Sequence, residues 1–177
     1  MATTVVPKSF NPGGLNLIST VSFSGVSSLS SANNTFRNEY ENYRVLLKIT
    51  TFVGQDQTLR FRSSGSDNTA SSYRYAWTGI DTAGTARTGY ATGQTSALVV
   101  RGNTTHQGIM SLTLDIFAPQ LAQKTTATGQ AWGSDGAPSS HTWNGGVAFD
   151  DTTVFDAFTL TFAGSTTGTM SIYGLAK

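Results

Sequence analysis

The stretch Tyr43-Arg44-Val45-Leu46-Leu47-Lys48-Ile49-Thr50 decides the fold class. Side chains of an extended strand alternate between two faces. Tyr43, Val45, Leu47 and Ile49 therefore share one side, and Arg44, Lys48 and Thr50 the other, with Leu46 the apolar exception. Apolar inward and polar outward is the pattern of a half-buried strand. The alternation returns in Leu59 and Phe61, in Tyr73, Tyr75 and Trp77, and in Met110, Leu112, Leu114 and Ile116. It returns again in Phe158, Leu160 and Phe162 and in Met170 and Ile172, and no segment carries a helical period.

Roughly eight to ten short strands at regular spacing make the expected fold all-β: a single-domain antiparallel β-sandwich, jelly-roll-like. The domain is expected over residues 17–177, preceded by an extended N-terminal arm over 1–16. That arm holds Pro7, Pro12, Gly13 and Gly14, all poor strand-interior residues. It either packs on its own domain or lies on a neighbouring subunit. Lys124 to Trp132 is Thr-rich and is expected as an edge strand. Gly145-Gly146 suggests a bulge or bend within His141 to Phe149, and Gly164 to Gly168 a hairpin loop. Asp81 to Gly93 reads as either a weak strand pair or a long loop.

Charged residues make up 12% of the chain, against roughly 25% in ordinary domains, and the net charge is +1. Ser, Thr, Gly and Asn fill the difference, so the surface is polar but nearly uncharged. Without a basic footprint, nucleic-acid binding is not expected. Low net charge also reduces colloidal repulsion, which an assembled protein tolerates better than a free monomer. The chain has no cysteine, which excludes a disulfide framework and thiolate zinc and fits folding in a reducing cytoplasm. The N-terminal residues lack the basic and apolar regions of a signal peptide, and no apolar run reaches the roughly 20 residues of a membrane-spanning helix. No membrane association and no cofactor are expected.

Residues that carry chemistry in other proteins find ordinary explanations here. His106 and His141 lack a metal-spaced partner and read as surface or hydrogen-bonded histidines. Asp150 and Asp151 are adjacent, so an extended chain points them apart. With Asp156 they read as turn residues, not as a catalytic pair. Gly65-Ser66-Asp67-Asn68 and Ser134-Asp135-Gly136 each offer one carboxylate, too few for calcium. Tyr73, Tyr75 and Trp77 form either an inner sandwich face or a sugar-stacking platform. Arg60, Arg62 and Arg74 share an outward face if their strands are neighbours. They then either discourage edge pairing or meet an acidic partner.

Several blocks of the chain resemble successive parts of a group of small tailed-bacteriophage virion proteins. The blocks are Leu15-Asn16-Leu17-Ile18-Ser19-Thr20-Val21-Ser22-Phe23, Tyr40-Glu41-Asn42-Tyr43-Arg44-Val45 and Leu59-Arg60-Phe61-Arg62-Ser63-Ser64-Gly65-Ser66-Asp67-Asn68. Phe155-Asp156-Ala157-Phe158-Thr159-Leu160 and Gly168-Thr169-Met170-Ser171-Ile172-Tyr173-Gly174 are similar to the closing hairpin of that group. The resemblance implies a β-sandwich or jelly-roll structural protein of a phage particle, with no catalytic residues carried over. It leaves head and tail open. The reading preferred here is a non-enzymatic decoration or cement protein on the outer surface of the capsid, made in the host cytoplasm. Its partners are then the major capsid protein and itself, as a homo-oligomer with a trimer favoured. Partner contacts are expected at Val5, Val6, Pro7, Phe10 and Pro12 of the arm and at Arg60, Arg62 and Arg74. The alternative is a tail or head fibre component that binds a host-surface glycan through Tyr90, Trp132 and Trp143.

Overall fold

A computed structural model describes residues 3–4, 14–53, 56–81, 83–101, 107–134 and 140–176. Among the described residues there are twelve strands and no helix. They are β1 (Thr3–Thr4), β2 (Leu15–Ser30), β3 (Tyr40–Val53), β4 (Gln57–Ser63), β5 (Ser66–Asp67) and β6 (Tyr73–Ile80). There follow β7 (Ala86–Gln94), β8 (Ala97–Val100), β9 (Gln107–Phe117), β10 (Thr125–Ser134), β11 (Ser140–Phe149) and β12 (Ala157–Ala176). The main path runs β1-β2-β12-β3-β9-β10-β11-β6-β7, and all pairings along it are antiparallel.

The molecule is all-β, built as one curled sheet. Two strands make the curl. The first part of β12 (Ala157 to Phe162) pairs with β4, and its later part (Thr166 to Ala176) pairs with β3. β2 accompanies it through both parts, with register shifts between Thr161 and Gly168. Bulges increase local twist and bend the strands that carry them. The bend swings β4, with β5 and β8 on its outer edge, over the face of the long sheet, where β8 contacts β6 and β11. The separate layers of a sandwich are thus joined through hydrogen bonds. The expected hairpin at Gly164 to Gly168 is this bend in one continuous strand.

The core lies inside the curl. Val45, Leu47 and Ile49 of β3 and Met110, Leu112, Leu114 and Ile116 of β9 face it, as the alternation requires. Leu59 and Phe61 of β4, Ala97 to Val100 of β8 and Phe158, Leu160 and Phe162 of β12 close it from the other side. An aromatic chain crosses the interior: Phe61 stacks on Phe155, Phe155 meets Phe149 edge-on, and Phe149 meets Tyr73 edge-on. Such pairs contribute about 0.5–1.5 kcal/mol each beyond area burial.

Two further expectations change. β10 is an interior strand, paired to β9 on one side and β11 on the other, not an edge. Its inward positions carry small residues, and a side chain at Gly129 would approach Leu114 and Trp143 within 3.2 Å. The inner face of β10 therefore makes room for Trp143 of its neighbour. At Gly145-Gly146 the ladders to β10 and β6 run without a register shift. No bulge is present; Gly145 is small because the Trp143 ring lies where its Cβ would be, 2.4 Å away. Residues 86–94, left open in the sequence, pair with β6 as a hairpin.

Of the N-terminal arm, Thr3 and Thr4 lie antiparallel on Val21 and Thr20 of β2. Val5, Val6, Pro7, Phe10 and Pro12 lie outside the described residues, as do His106 and residues 135 and 136 of the segment Ser134-Asp135-Gly136.

Candidate functional site

The outward face of the long sheet is assembled by register. One row crosses it as Ser171, Leu46, Thr113, Gln130, Asn144, Thr78 and Thr88. The next runs Thr169, Lys48, Ser111, Trp132, Thr142 and Ile80. A third joins Arg44 to Asp115, where the guanidinium binds the carboxylate through Nε at 2.7 Å and Nη2 at 2.8 Å. That hydrogen bond, with the charge beside it, raises the Arg44 pKa. The pair is partly exposed and contributes up to about 1 kcal/mol.

Exposed apolar side chains concentrate on this face. Leu15 and Leu175 pair across β2 and β12 at one corner, near Phe117. Leu46, Ile109 and Trp132 lie centrally around a shallow groove of about 600 Å³ whose rim includes Lys48, Ser111 and Thr169. Ile80 and Tyr90 lie toward β7. Among the described residues, the other exposed large apolar side chains are Leu121 and Val154, both outside the strands. Apolar residues scattered singly over a surface need no explanation, but their gathering on one face does.

The glycan candidates separate. Tyr90 is 82% exposed and Trp132 42%, whereas Trp143 is 2% exposed and belongs to the core. The correction has a simple cause: His141, Trp143, Val147 and Phe149 occupy alternate positions of β11 and all point inward. Tyr90 and Trp132 share the outer face but form no common platform. β11 and β6 lie between their strands, and Tyr90 aligns through Ala76 and Gly146 with Thr128, four residues from Trp132. Of the third aromatic set, Tyr73 is buried while Tyr75 and Trp77 are half-buried against the core.

The three arginines do not form one stripe. Arg74 lies on β6 and pairs with Asp150, which also accepts from Lys124 at 3.1 Å. Desolvation works to raise the Asp150 pKa, but the two cations outweigh it and the pKa is lowered. Arg60 and Arg62 project from β4 on the opposite side of the molecule, into a hydroxyl-lined groove of about 660 Å³. There Arg62 is neutralised: its Nε is 3.3 Å from Asp67 Oδ1, and its Nη groups reach the carbonyls of Ser31 and Gly65. Asp67 also accepts from Thr159 Oγ1 at 2.7 Å, which makes it a structural carboxylate and not a calcium ligand in waiting.

The other acidic candidates act in turns. Asp151 accepts the Thr152 amide, and Asp156 accepts the Ser64 amide at 3.0 Å. His141 is buried with its ring against Gly133. Among the described residues no three His, Cys, Asp or Glu side chains converge as metal ligands do. The outer face escaped the sequence reading because its apolar members are isolated among Ser and Thr. Only the strand order puts Leu46, Ile109 and Trp132 side by side.

No protein-family model matches the chain, and no curated protein matches it. Among solved structures, a fructofuranosidase variant from Schwanniomyces occidentalis in complex with fructosylnystose is similar over 94% of this chain, at 5% identity and a TM-score of 0.28. The chain spans 35% of that protein. A likeness this loose carries no argument about fold or activity.

Proposed function

We propose that the chain is a structural protein of a bacteriophage particle, a decoration protein that stabilises the capsid by bridging its subunits. The observation that supports this reading is the gathering of exposed apolar side chains on the outer face of the long sheet. A broad, low-charge surface with apolar points spaced among hydroxyls suits contact with a neutral protein surface, where desolvation of charge would otherwise cost binding energy. Binding only to the assembled shell stabilises that shell by mass action. The resemblance to phage virion proteins supports the same reading from the sequence side.

The test is occupancy on empty capsids of the parent phage. A Leu46→Ser, Ile109→Ser, Trp132→Ser variant is expected to fold with unchanged circular dichroism and to lose most of its binding to the shell. Full occupancy by this variant would remove the outer face from the interaction. A copy number per particle of only a handful would place the chain in a fibre.

A further inference from the structure

The groove on the far side of the molecule, around Arg60, has chemistry of its own. It is formed where β2, β12, β4 and β5 lie side by side, and one cross-strand row on its floor runs Ser30, Thr159, Arg60. The charges in it are unequally satisfied. Arg62 is locked by Asp67 and two backbone carbonyls. Arg60 has no carboxylate partner among the described residues; its Nε donates to the Thr95 carbonyl at 3.1 Å. That bond orients the side chain and leaves both Nη groups without a partner among the described residues. A guanidinium held in this way presents a planar fork suited to a carboxylate.

The remaining lining narrows the ligand. Ser28, Ser66 and Thr161 bring hydroxyls that both donate and accept, and Ser30, whose proton goes to Thr159 Oγ1, brings an acceptor. Asp67 brings an acceptor: Oδ1 is used by Thr159 and Arg62, and Oδ2 takes part in neither contact. Phosphate, an acceptor-rich anion, suits Arg60 but offers few donors to Asp67 Oδ2 and to the hydroxyl rim. A molecule with one carboxylate and several hydroxyls satisfies both. The groove's volume of about 660 Å³ lies within the usual range for small-ligand sites, roughly 300–1,000 Å³.

We infer that this groove is a binding site for an acidic saccharide, a sugar unit whose carboxylate is clamped by Arg60 while its hydroxyls meet Asp67 and the serine and threonine rim. The site is on a different face from the proposed capsid contact and stands or falls separately.

Titration calorimetry and amide-shift NMR on the full chain test it, with sialyllactose and oligogalacturonate as probes and lactose and inorganic phosphate as comparisons. At least one acidic sugar is expected to bind and to shift the amides of β4 and of residues 159–161. Lactose is expected to bind about tenfold more weakly or worse, as loss of a charge-assisted hydrogen bond implies. Arg60→Lys keeps the charge but not the fork, and is expected to weaken binding by a similar factor with an unchanged melting temperature. Thr161→Val, which leaves Arg60 in place, is expected to weaken it by a smaller factor. No binding by any probe, equal binding of lactose, full affinity in Arg60→Lys, or phosphate competing as strongly as the sugar would each overturn the assignment. The Leu46, Ile109, Trp132 variant is expected to bind the sugar normally, and Arg60→Lys to decorate capsids normally, so the two readings fail independently.

Discussion

The backbone amide of Phe61 donates a hydrogen bond of 2.9 Å to the phenol oxygen of Tyr73, and the same hydroxyl donates to the Asn68 carbonyl at 3.1 Å. The outer edge of β4 is covered piece by piece. β8 pairs with Gln57, Thr58 and Leu59, and β5 pairs with Arg62 and Ser63. The gap at Phe61 is closed by Tyr73 and by the Asn68 amide. A side chain from the long sheet thus completes the ladder of the strand folded over it. Tyr73→Phe keeps the ring contacts and strands a buried amide. It is expected to cost about 1–3 kcal/mol in urea denaturation, with an unchanged m-value. A negligible loss would mean that water replaces the hydroxyl and the curl does not depend on it.

Tyr43 and Tyr73 give the fold an alkaline limit. Burial raises both phenols from 10.0 to about 12, against hydrogen bonds from the Arg37 and Phe61 backbone that act to lower them. The folded pKa lies above the unfolded one, so the native state holds its protons longer and stability falls as pH rises. The contribution is complete below pH 10 and disappears as pH climbs toward about 12. Tyrosinate absorbance followed against pH should show two late-titrating groups whose ionisation coincides with unfolding. Each Tyr→Phe variant should remove one of them. Tyr43 and Tyr73 themselves ionising near 10 in a still-folded protein would contradict this.

At Gly174 the Tyr40 ring lies where a side chain would be, 2.3 Å from an ideal Cβ, and Tyr40 itself is buried. Gly174→Ala forces that ring off its site and is expected to cost about 1–3 kcal/mol, the usual range for overpacking. Gly146→Ala is the control. Its Cβ would meet nothing closer than 3.8 Å, and its effect should stay within about 0.5 kcal/mol. Thermal melts of the two variants make the comparison.

Much of the fold was legible because core strands alternate. β3, β9 and the ends of β12 follow from their apolar residues alone. β10 was legible as a strand but not as an interior one, because Ala127, Gly129, Ala131 and Gly133 mark its inner face by being small and no large apolar side chain signals burial. Gly145-Gly146 suggested a bend, yet Gly145 records the space taken by a tryptophan two residues earlier. Gly164 to Gly168 signalled a turn correctly in kind but not in degree: the chain bends there and continues in one strand. The two candidate surfaces depend on pairing order. Leu46 and Trp132 are far apart in sequence, and Arg60 becomes distinct from Arg62 only when Asp67 is seen to choose between them.

Acid stability should have a weak, salt-sensitive slope. Amides of Thr85 and Ala83 and the Arg87 guanidinium lower the Asp81 pKa, and the Arg74 and Lys124 cations lower that of Asp150. Depressed folded pKa values mean that the stabilisation is present above the unfolded carboxylate pKa and is lost as pH falls through the folded one. Both groups are partly exposed, so salt should flatten the dependence. Melting temperatures from neutral to low pH, at low and high salt, check this. An identical slope at both salt concentrations would place the acid-sensitive groups elsewhere.

The tryptophans offer a direct reading of which face meets the partner. Trp132 stands on the outer face, Trp77 is half-buried, and Trp143 is enclosed by the core. A neutral quencher should therefore reach mainly Trp132 in the free protein. Trp132→Phe should remove most of the quenchable fluorescence while leaving the melting temperature unchanged, because an exposed side chain contributes little to folding. Trp143→Ala should cost about 3–5 kcal/mol, the usual loss for a truncated core aromatic. If the chain decorates capsids as proposed, Trp132 should become shielded on binding in the wild type. If quenching is the same bound and free, contact is made through some other surface, and the apolar points on the long sheet would need a different explanation.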